Sequence, residues 1–202
     1  MNELRRARRL ACPGPVAFVF SGGSSLGALQ VGMLRAVHET GLAPDFLVGT
    51  SAGALNATFI GRGFTAERIG ELAGIWGAMR TKDVFPGLGV WSSLGALVGW
   101  GTLASPSGLQ QIVERHVPAA HEELAIPTAV VASDLATGSA VAFRSGGLRE
   151  HVMASTAIPG VFPPVTVDGR TFIDGGVSSH VPLLPARDLG ARTMVVFDTG
   201  FP

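Results

Sequence analysis

The chain has little cysteine, little charge and no long unbroken apolar run, and each shortage excludes a class of protein. Cys12 is the only cysteine among 202 residues, so no disulfide can form within the chain, which fits a reducing compartment. Without a Cys/His cluster, a structural zinc site is not expected. Charged residues make up 15%, with 15 basic against 15 acidic side chains, so no strong net field exists to recruit nucleic acid.

Two segments stand apart from the rest of the chain. Residues 84–107 are rich in Trp, Leu and Gly with almost no charge, but they are too broken to span a bilayer. An apolar lid or acyl-chain groove and a buried helix pair are equally compatible with them. Residues 1–13 form a basic segment that Pro13, Gly14 and Pro15 separate from any export-type apolar run. We expect a flexible tail there, either solvated or touching anionic lipid, on a cytoplasmic protein with peripheral membrane contact as an alternative.

Short β-rich runs alternate with helical segments along the rest of the chain. They cover residues 16–20, 28–39, 46–48, 54–60, 66–79, 109–116, 128–132, 141–143 and 194–198. This alternation predicts an α/β fold, in which residues 14–202 form a single domain with a mostly parallel central sheet covered by helices. Ligands of such sheets bind at the carboxyl ends of the strands.

Ser51 lies in a G-T-S-A-G motif, directly after an apolar run and before a helix-prone segment. Such a motif is typical of a nucleophile elbow, where a strand turns sharply into a helix and presents one side chain. Gly49 and Gly53 flank the serine because a Cβ at either place would collide with the turn. The motif favours a covalent hydrolase, with an ordinary strand-to-helix turn as the alternative.

A glycine-rich loop follows the first β-rich run and contains Gly22, Gly23, Ser24 and Gly27. Amides at such a helix N-terminus favour negative charge, either a bound phosphate or the oxyanion formed when a serine attacks a carbonyl. Ser24 breaks the dinucleotide-binding spacing and no Lys follows Gly27, so a nucleotide site is not favoured.

Asp174 ends a further short β-rich run, and Gly175 and Gly176 leave room beside it. A serine hydroxyl is a poor nucleophile until a base accepts its proton, and that base can be a His or a directly bonded carboxylate. Taken alone, the Asp-Gly-Gly sequence is typical of a tight turn.

In this order, the glycine loop, the serine motif and the Asp-Gly-Gly sequence resemble the patatin-like phospholipase family. The resemblance extends to residues 132–138, 154–164 and 174–182 and so covers nearly the whole chain. It implies a serine lipid acyl hydrolase that acts through a Ser51–Asp174 dyad and an acyl-enzyme, with the amides of Gly22, Gly23 and Ser24 as the oxyanion hole. It implies a lipid or ester substrate and neither a metal nor an organic cofactor.

The chain departs from the family pattern at three positions. Ser24 replaces the usual third loop glycine, Leu26 stands where many members carry Arg or Lys, and His180 stands where relatives often have Asn. The Leu26 difference leaves open whether phospholipids are the preferred esters. Head group, acyl-chain preference and oligomeric state cannot be read from the sequence.

The main alternative is an esterase or acyltransferase with a Ser-His-acid triad. Its base would be His180 or, less plausibly, His151, His121 or His116. Only one convincing strand precedes the serine motif's own strand, whereas triad hydrolases usually have several, so the order of elements argues against it. A lipid-binding protein without catalytic activity is a further, weaker alternative.

Overall fold

Seven strands form one sheet in the computed structural model, which describes residues 12–85 and 104–200. The strands are, in chain order, β1 (Val16–Phe20), β2 (Phe46–Thr50), β3 (Thr128–Asp134), β4 (Ala140–Phe143), β5 (Val165–Val167), β6 (Arg170–Asp174) and β7 (Thr193–Phe197). Their order in the sheet is β5-β6-β3-β2-β1-β7, and β4 also pairs with β3. Strands β7, β1, β2 and β3 run parallel, whereas β4, β5 and β6 pair antiparallel. The fold is therefore a mixed α/β domain whose central strands are parallel, as the sequence predicted.

Helices cover both faces of the sheet. They are α1 (Gly27–Glu39), α2 (Ala52–Gly61), α3 (Ala66–Ala78), α4 (Thr81–Val84), α5 (Ser107–His116), α6 (Leu148–Ser155), α7 (Gly176–Ser179) and α8 (Leu183–Asp188). Strand β1 is buried on both faces, which explains its unbroken apolar sequence. Its Phe18 and Phe20 pack toward α1, α2 and α3, while Ala17 and Val19 join a second cluster that includes Ala186 of α8. None of the helices within the described ranges is long and apolar enough to cross a membrane.

The register on β3 brings two chain-distant strand ends together. Thr50, the last residue of β2, pairs with Val131, and Asp174, the last residue of β6, pairs with Ala132. Strand β4 lies on the opposite edge of β3 over the same residues. Strands β2 and β6 therefore occupy one edge of β3 end to end, and the residues that follow them meet.

The predicted segments are all present, with ends displaced by at most two residues. The helix predicted at 54–60 begins at Ala52, and the strand predicted at 128–132 continues to Asp134. The sequence did not predict α4, α6, α7, α8 or β5, which are short and have no clear apolar period. The tail residues 1–11 and residues 86–103 of the predicted lid lie outside the described residues.

Candidate active site

Ser51 occupies the turn between β2 and α2 in a strained backbone conformation. Its φ of 55° and ψ of −124° lie in a region that residues with a Cβ rarely adopt. The flanking glycines allow this turn because the chain passes very close to itself. A Cβ on Gly49 would meet the carbonyl group of Gly53, and a Cβ on Gly53 would meet the backbone of Phe20 and Ser21. The turn places the Ser51 hydroxyl at the carboxyl end of β2, with the side chain only 7% exposed.

The hydroxyl of Ser51 donates a hydrogen bond directly to Asp174. The distance from Ser51 Oγ to Asp174 Oδ2 is 2.6 Å, and Oδ1 of the same carboxylate accepts from the Gly176 amide at 2.7 Å. Burial raises the pKa of Asp174, against the opposing effects of the hydrogen bonds from Ser51 and Gly176 and of nearby His180. A raised pKa makes this carboxylate a better proton acceptor than an exposed one.

The glycine loop lies beside this pair, and its amides differ in what they contact. The Gly22 amide donates to the carbonyl of His180 at 3.0 Å. The amides of Gly23 and Ser24, by contrast, donate no hydrogen bond to any of the described residues. Ser24 has a φ of 52° and lines the same cavity as Ser51. The loop therefore presents two unused backbone donors near Ser51, and the Gly22 amide has a partner already.

Two serines outside the predicted site support the pair. The Ser51 amide donates to Ser155 Oγ at 2.8 Å, and the Ser155 hydroxyl donates to the carbonyl of Val131 at 2.6 Å. The Ser133 hydroxyl donates to the backbone carbonyl of Asp174 at 2.8 Å. Both serines lie within the segments that carry the family resemblance, which was the available signal.

A buried amide network holds the start of α1, and with it the glycine loop. Gln30 Nε2 donates to the carbonyls of Ser21 and Phe197, each at 2.9 Å. Its Oε1 accepts from Asn56 Nδ2 at 2.8 Å, and Asn56 Oδ1 accepts from Trp76 Nε1 at 2.8 Å. The network joins α1, α2 and α3 and orients the Trp76 ring. Position 27 has no room for a larger residue, because a Cβ there would lie 2.9 Å from the Trp76 ring.

Three of the four histidines proposed as alternative bases have other surroundings. His121 Nε2 and His151 Nδ1 are 3.0 Å apart in a buried pair, and His116 packs near the Phe59 ring. Burial lowers the pKa of all three, and for His151 to about 4. None of the three lines the cavity that contains Ser51.

His180 is the histidine that lies beside the pair. A Cβ built on Gly22 would be 3.1 Å from its Nδ1 and 3.5 Å from Ser51 Cβ, and one built on Gly176 would be 3.6 Å from the same Nδ1. The imidazole therefore packs over both glycines. The hydroxyl of Ser51 nevertheless donates to Asp174 and not to His180.

An apolar cavity of about 220 Å³ opens at Ser51. Its lining includes the loop residues Ser24 and Ser25 and apolar side chains from α2, α3, α4, α5 and the segments that follow α3 and α6, among them Leu55, Trp76, Met79, Val84, Leu109, Ile112 and Phe162. Such a space suits a hydrocarbon chain attached to a carbonyl at Ser51. Across residues 12–85 and 104–200, no group of three or more His, Cys, Asp or Glu side chains is placed to hold a metal ion.

A serine at a tight strand-to-helix turn, a carboxylate bonded to its hydroxyl and an apolar cavity are features that ester hydrolases combine. The family model for patatin-like phospholipases matches residues 18–187, so the chain belongs to the patatin-like phospholipase family. The family is named for phospholipases, which are carboxylic ester hydrolases of lipids.

Curated relatives agree with this assignment over a shared domain. The chain is 30% identical over 206 residues to the patatin-like phospholipase domain-containing protein 7 of Rattus norvegicus, a match that covers 98% of this chain and 14% of the relative. It is 33% identical over 176 residues to an NTE family protein of Mycobacterium bovis, covering 87% of this chain and 46% of the relative. The chain thus spans less than half of the length of either relative.

A solved structure supports the fold. VipD from Legionella pneumophila superposes with a TM-score of 0.58 at 15% identity, over 85% of this chain and 48% of that chain. At this identity the match concerns the fold alone.

Proposed function

We propose that the chain hydrolyses carboxylic esters of lipids through a Ser51–Asp174 dyad and an acyl-enzyme. The observation that carries the proposal is the 2.6 Å hydrogen bond from Ser51 Oγ to Asp174 Oδ2, between two buried side chains. A base that already accepts the hydroxyl proton needs no intervening imidazole. The apolar cavity at Ser51 supports a substrate with a hydrocarbon chain.

In the first half of the reaction, Asp174 accepts the Ser51 proton while Oγ bonds to the ester carbonyl carbon. The negative charge on the carbonyl oxygen faces the amides of Gly23 and Ser24, which have no other acceptor among the described residues. The ester C–O bond then breaks, and the leaving alcohol takes the proton from Asp174. The acyl group stays on Ser51.

In the second half, a water molecule gives a proton to Asp174 and attacks the acyl carbonyl carbon. The bond to Ser51 Oγ breaks, the fatty acid leaves, and the proton on Asp174 returns to the serine. Of the three loop amides expected in the oxyanion hole, one already has a backbone partner. Because the Gly22 amide donates to His180, the oxyanion role rests on Gly23 and Ser24 in this arrangement.

The decisive experiment measures hydrolysis of a short-chain chromogenic ester and of phospholipid vesicles. We expect Ser51→Ala and Asp174→Asn to lose on the order of 10⁴-fold or more in kcat, as removal of a nucleophile or its base does elsewhere. Asp188→Asn is the matched control, because that carboxylate is exposed and pairs with Arg187. Full activity in either dyad variant would refute the mechanism.

The His180→Ala variant distinguishes the dyad from the triad alternative. His180 is the histidine to test because its imidazole lies beside Gly22 and Gly176. The dyad predicts that this variant keeps most of its kcat at neutral pH, since its backbone carbonyl can still accept from Gly22. A folded His180→Ala variant as inactive as Ser51→Ala would establish the triad in its place.

Peripheral contact with a lipid surface is part of the same proposal. Exposed apolar side chains lie next to both catalytic segments: Leu26 is in the glycine loop, Leu29 follows it, and Val177 follows Asp174. These residues support contact with an interface, from which a lipid ester would enter the cavity. Sedimentation with neutral vesicles is expected to weaken in a Leu29→Ser/Val177→Ser variant that still cleaves a water-soluble ester.

A further inference from the structure

Three cavities lie in series along helix α2, starting at Ser51. The first has about 220 Å³, the second about 20 Å³ and the third about 600 Å³. Leu55 borders the first two and Phe59 borders the last two, which gives the direction of the series along the helix. Met79 and Ile112 border all three cavities. A path therefore leads from the nucleophile between α2, α3 and α5.

The second cavity is a constriction in that path. Its volume of about 20 Å³ is room for roughly one water molecule. Trp76 forms a fixed side of it, because its Nε1 donates to Asn56 Oδ1 at 2.8 Å. Met79 is unbranched and has several rotatable bonds, so it can change shape where the tryptophan cannot. Met79 and Ile112 are thus the adjustable walls of the constriction.

Beyond the constriction, four charged side chains join the apolar residues of the lining. Arg62, Glu71, Asp83 and Arg115 line the third cavity, whereas the sides of the second are almost all apolar. Burial up to the constriction lowers the free energy of a hydrocarbon chain. Burial past it lowers that free energy much less, because the charged groups there stay hydrated.

We propose that Met79 and Ile112 close the far end of the acyl-chain site and so set the chain length of the esters that this protein cleaves. The proposal rests on the proposed function, because it requires the acyl carbonyl at Ser51. The cavity is expected to hold the acyl chain, because a chain bonded to that carbonyl begins in the first cavity. The apolar walls of this cavity lead to Met79 and Ile112.

Two estimates of the chain length agree. The constriction lies level with α2 between Leu55 and Phe59, about 6–12 Å from Ser51 along the helix, or roughly five to ten carbons at the advance of an extended C–C chain. A cavity of about 150 Å³ takes up benzene, so by proportion the 220 Å³ at Ser51 would hold roughly nine carbons. We expect an optimum near eight carbons.

The first test compares chromogenic esters with acyl chains of about 4 to 16 carbons. For the wild type, kcat/KM should rise to about eight carbons and then fall. Met79→Ala removes the three side-chain atoms beyond Cβ, so its optimum should move by about three carbons to longer chains. Ile112→Ala should move it in the same direction. Met33→Ala is the matched control, because Met33 is also partly buried but lies on α1 and packs against the core.

The second test does not need catalysis. In a Ser51→Ala background, the affinity for free fatty acids should rise roughly fourfold for each added methylene and level off near eight carbons. Adding Met79→Ala should move that plateau to about eleven carbons. The carboxylate is common to all these probes, so its own contribution cancels from the comparison.

The two tests separate failure of this proposal from failure of the proposed function. If the wild type cleaves no ester but the plateau of fatty-acid affinity moves in Met79→Ala, the acyl-chain site is supported and the hydrolase function is refuted. An active wild type whose optimum and plateau stay in place in both alanine variants would refute the chain-length role. A shift of equal size in Met33→Ala would also refute it.

Discussion

Replacing Ser155 with alanine tests whether one buried hydroxyl holds the strained turn at Ser51. Ser155 is fully buried, and its Oγ accepts from the Ser51 amide at 2.8 Å while donating to the Val131 carbonyl at 2.6 Å. The substitution leaves both backbone groups without that partner. Each unpaired buried group costs about 1–3 kcal/mol, so the free energy of unfolding should fall by roughly 2–6 kcal/mol.

The same change should slow the reaction in the molecules that stay folded. Ser51 is held at a φ of 55°, a conformation that costs about 1–3 kcal/mol and persists only where its surroundings impose it. Without the Ser155 hydroxyl the turn can relax, and a displacement of about 1 Å at a reacting group can cost on the order of 10²-fold in rate. We expect kcat to fall by about 10- to 100-fold with little change in KM.

Urea unfolding and steady-state kinetics on a soluble ester measure the two effects. Thr58→Val is the control, because Thr58 is a buried hydroxyl whose partners, the Ala54 and Leu55 carbonyls, keep their helical hydrogen bonds. It should lose less than about 1 kcal/mol and keep its kcat. The reasoning is wrong if Ser155→Ala is as stable as Thr58→Val, or if it is much less stable but fully active.

Two shifted pKa values and one strained backbone angle give three further predictions. Because burial raises the pKa of Asp174, its ionised form is a cost to folding that is present at neutral pH and disappears as the pH falls through that raised value. Asp174→Asn should therefore raise the melting temperature at pH 7 and lose this advantage in acid, and a constant difference across pH would contradict it. The pKa of His151 is lowered to about 4, so stability should be lost as the pH falls below 6.5 and the loss should be complete near pH 4. Measured by urea titration, the free energy of unfolding of His151→Gln should fall less steeply with decreasing pH over that range than that of the wild type. Ser24→Gly should release about 1 kcal/mol of strain at a φ of 52° and keep its activity, whereas Ser25→Gly, which has no such strain to release, should lose stability.

The parts of the site that are local in sequence could be predicted, and the parts made by distant pairing could not. The strand before Ser51 and the glycines on either side of it are contiguous in sequence, so the motif predicts the turn. The role of Ser155 depends on a contact across 104 positions, and no local pattern reports it. The Gly22 amide was expected in the oxyanion hole, but the carbonyl that it contacts belongs to His180, and only the fold brings that group near.

The central strands were predictable for a similar reason. An apolar run such as β1 is buried on both faces and forms a parallel strand almost regardless of its neighbours. Strand β6 has alternating burial, and its antiparallel pairing with β3 depends on the register of Asp174 opposite Ala132. Such a register is set by the whole sheet and not by the five residues of the strand.

The end-to-end arrangement of β2 and β6 on one edge of β3 explains why a carboxylate can serve Ser51 directly. Because β2 stops at Thr50 and β6 stops at Asp174, opposite adjacent residues of β3, the residues that follow approach from opposite directions and meet. The 2.6 Å between Ser51 Oγ and Asp174 Oδ2 leaves no space for an imidazole between them. For His180 to become the base, Asp174 would have to leave the Ser51 hydroxyl, while Gly176 holds its other oxygen at 2.7 Å. The register of the sheet therefore favours the dyad over the triad.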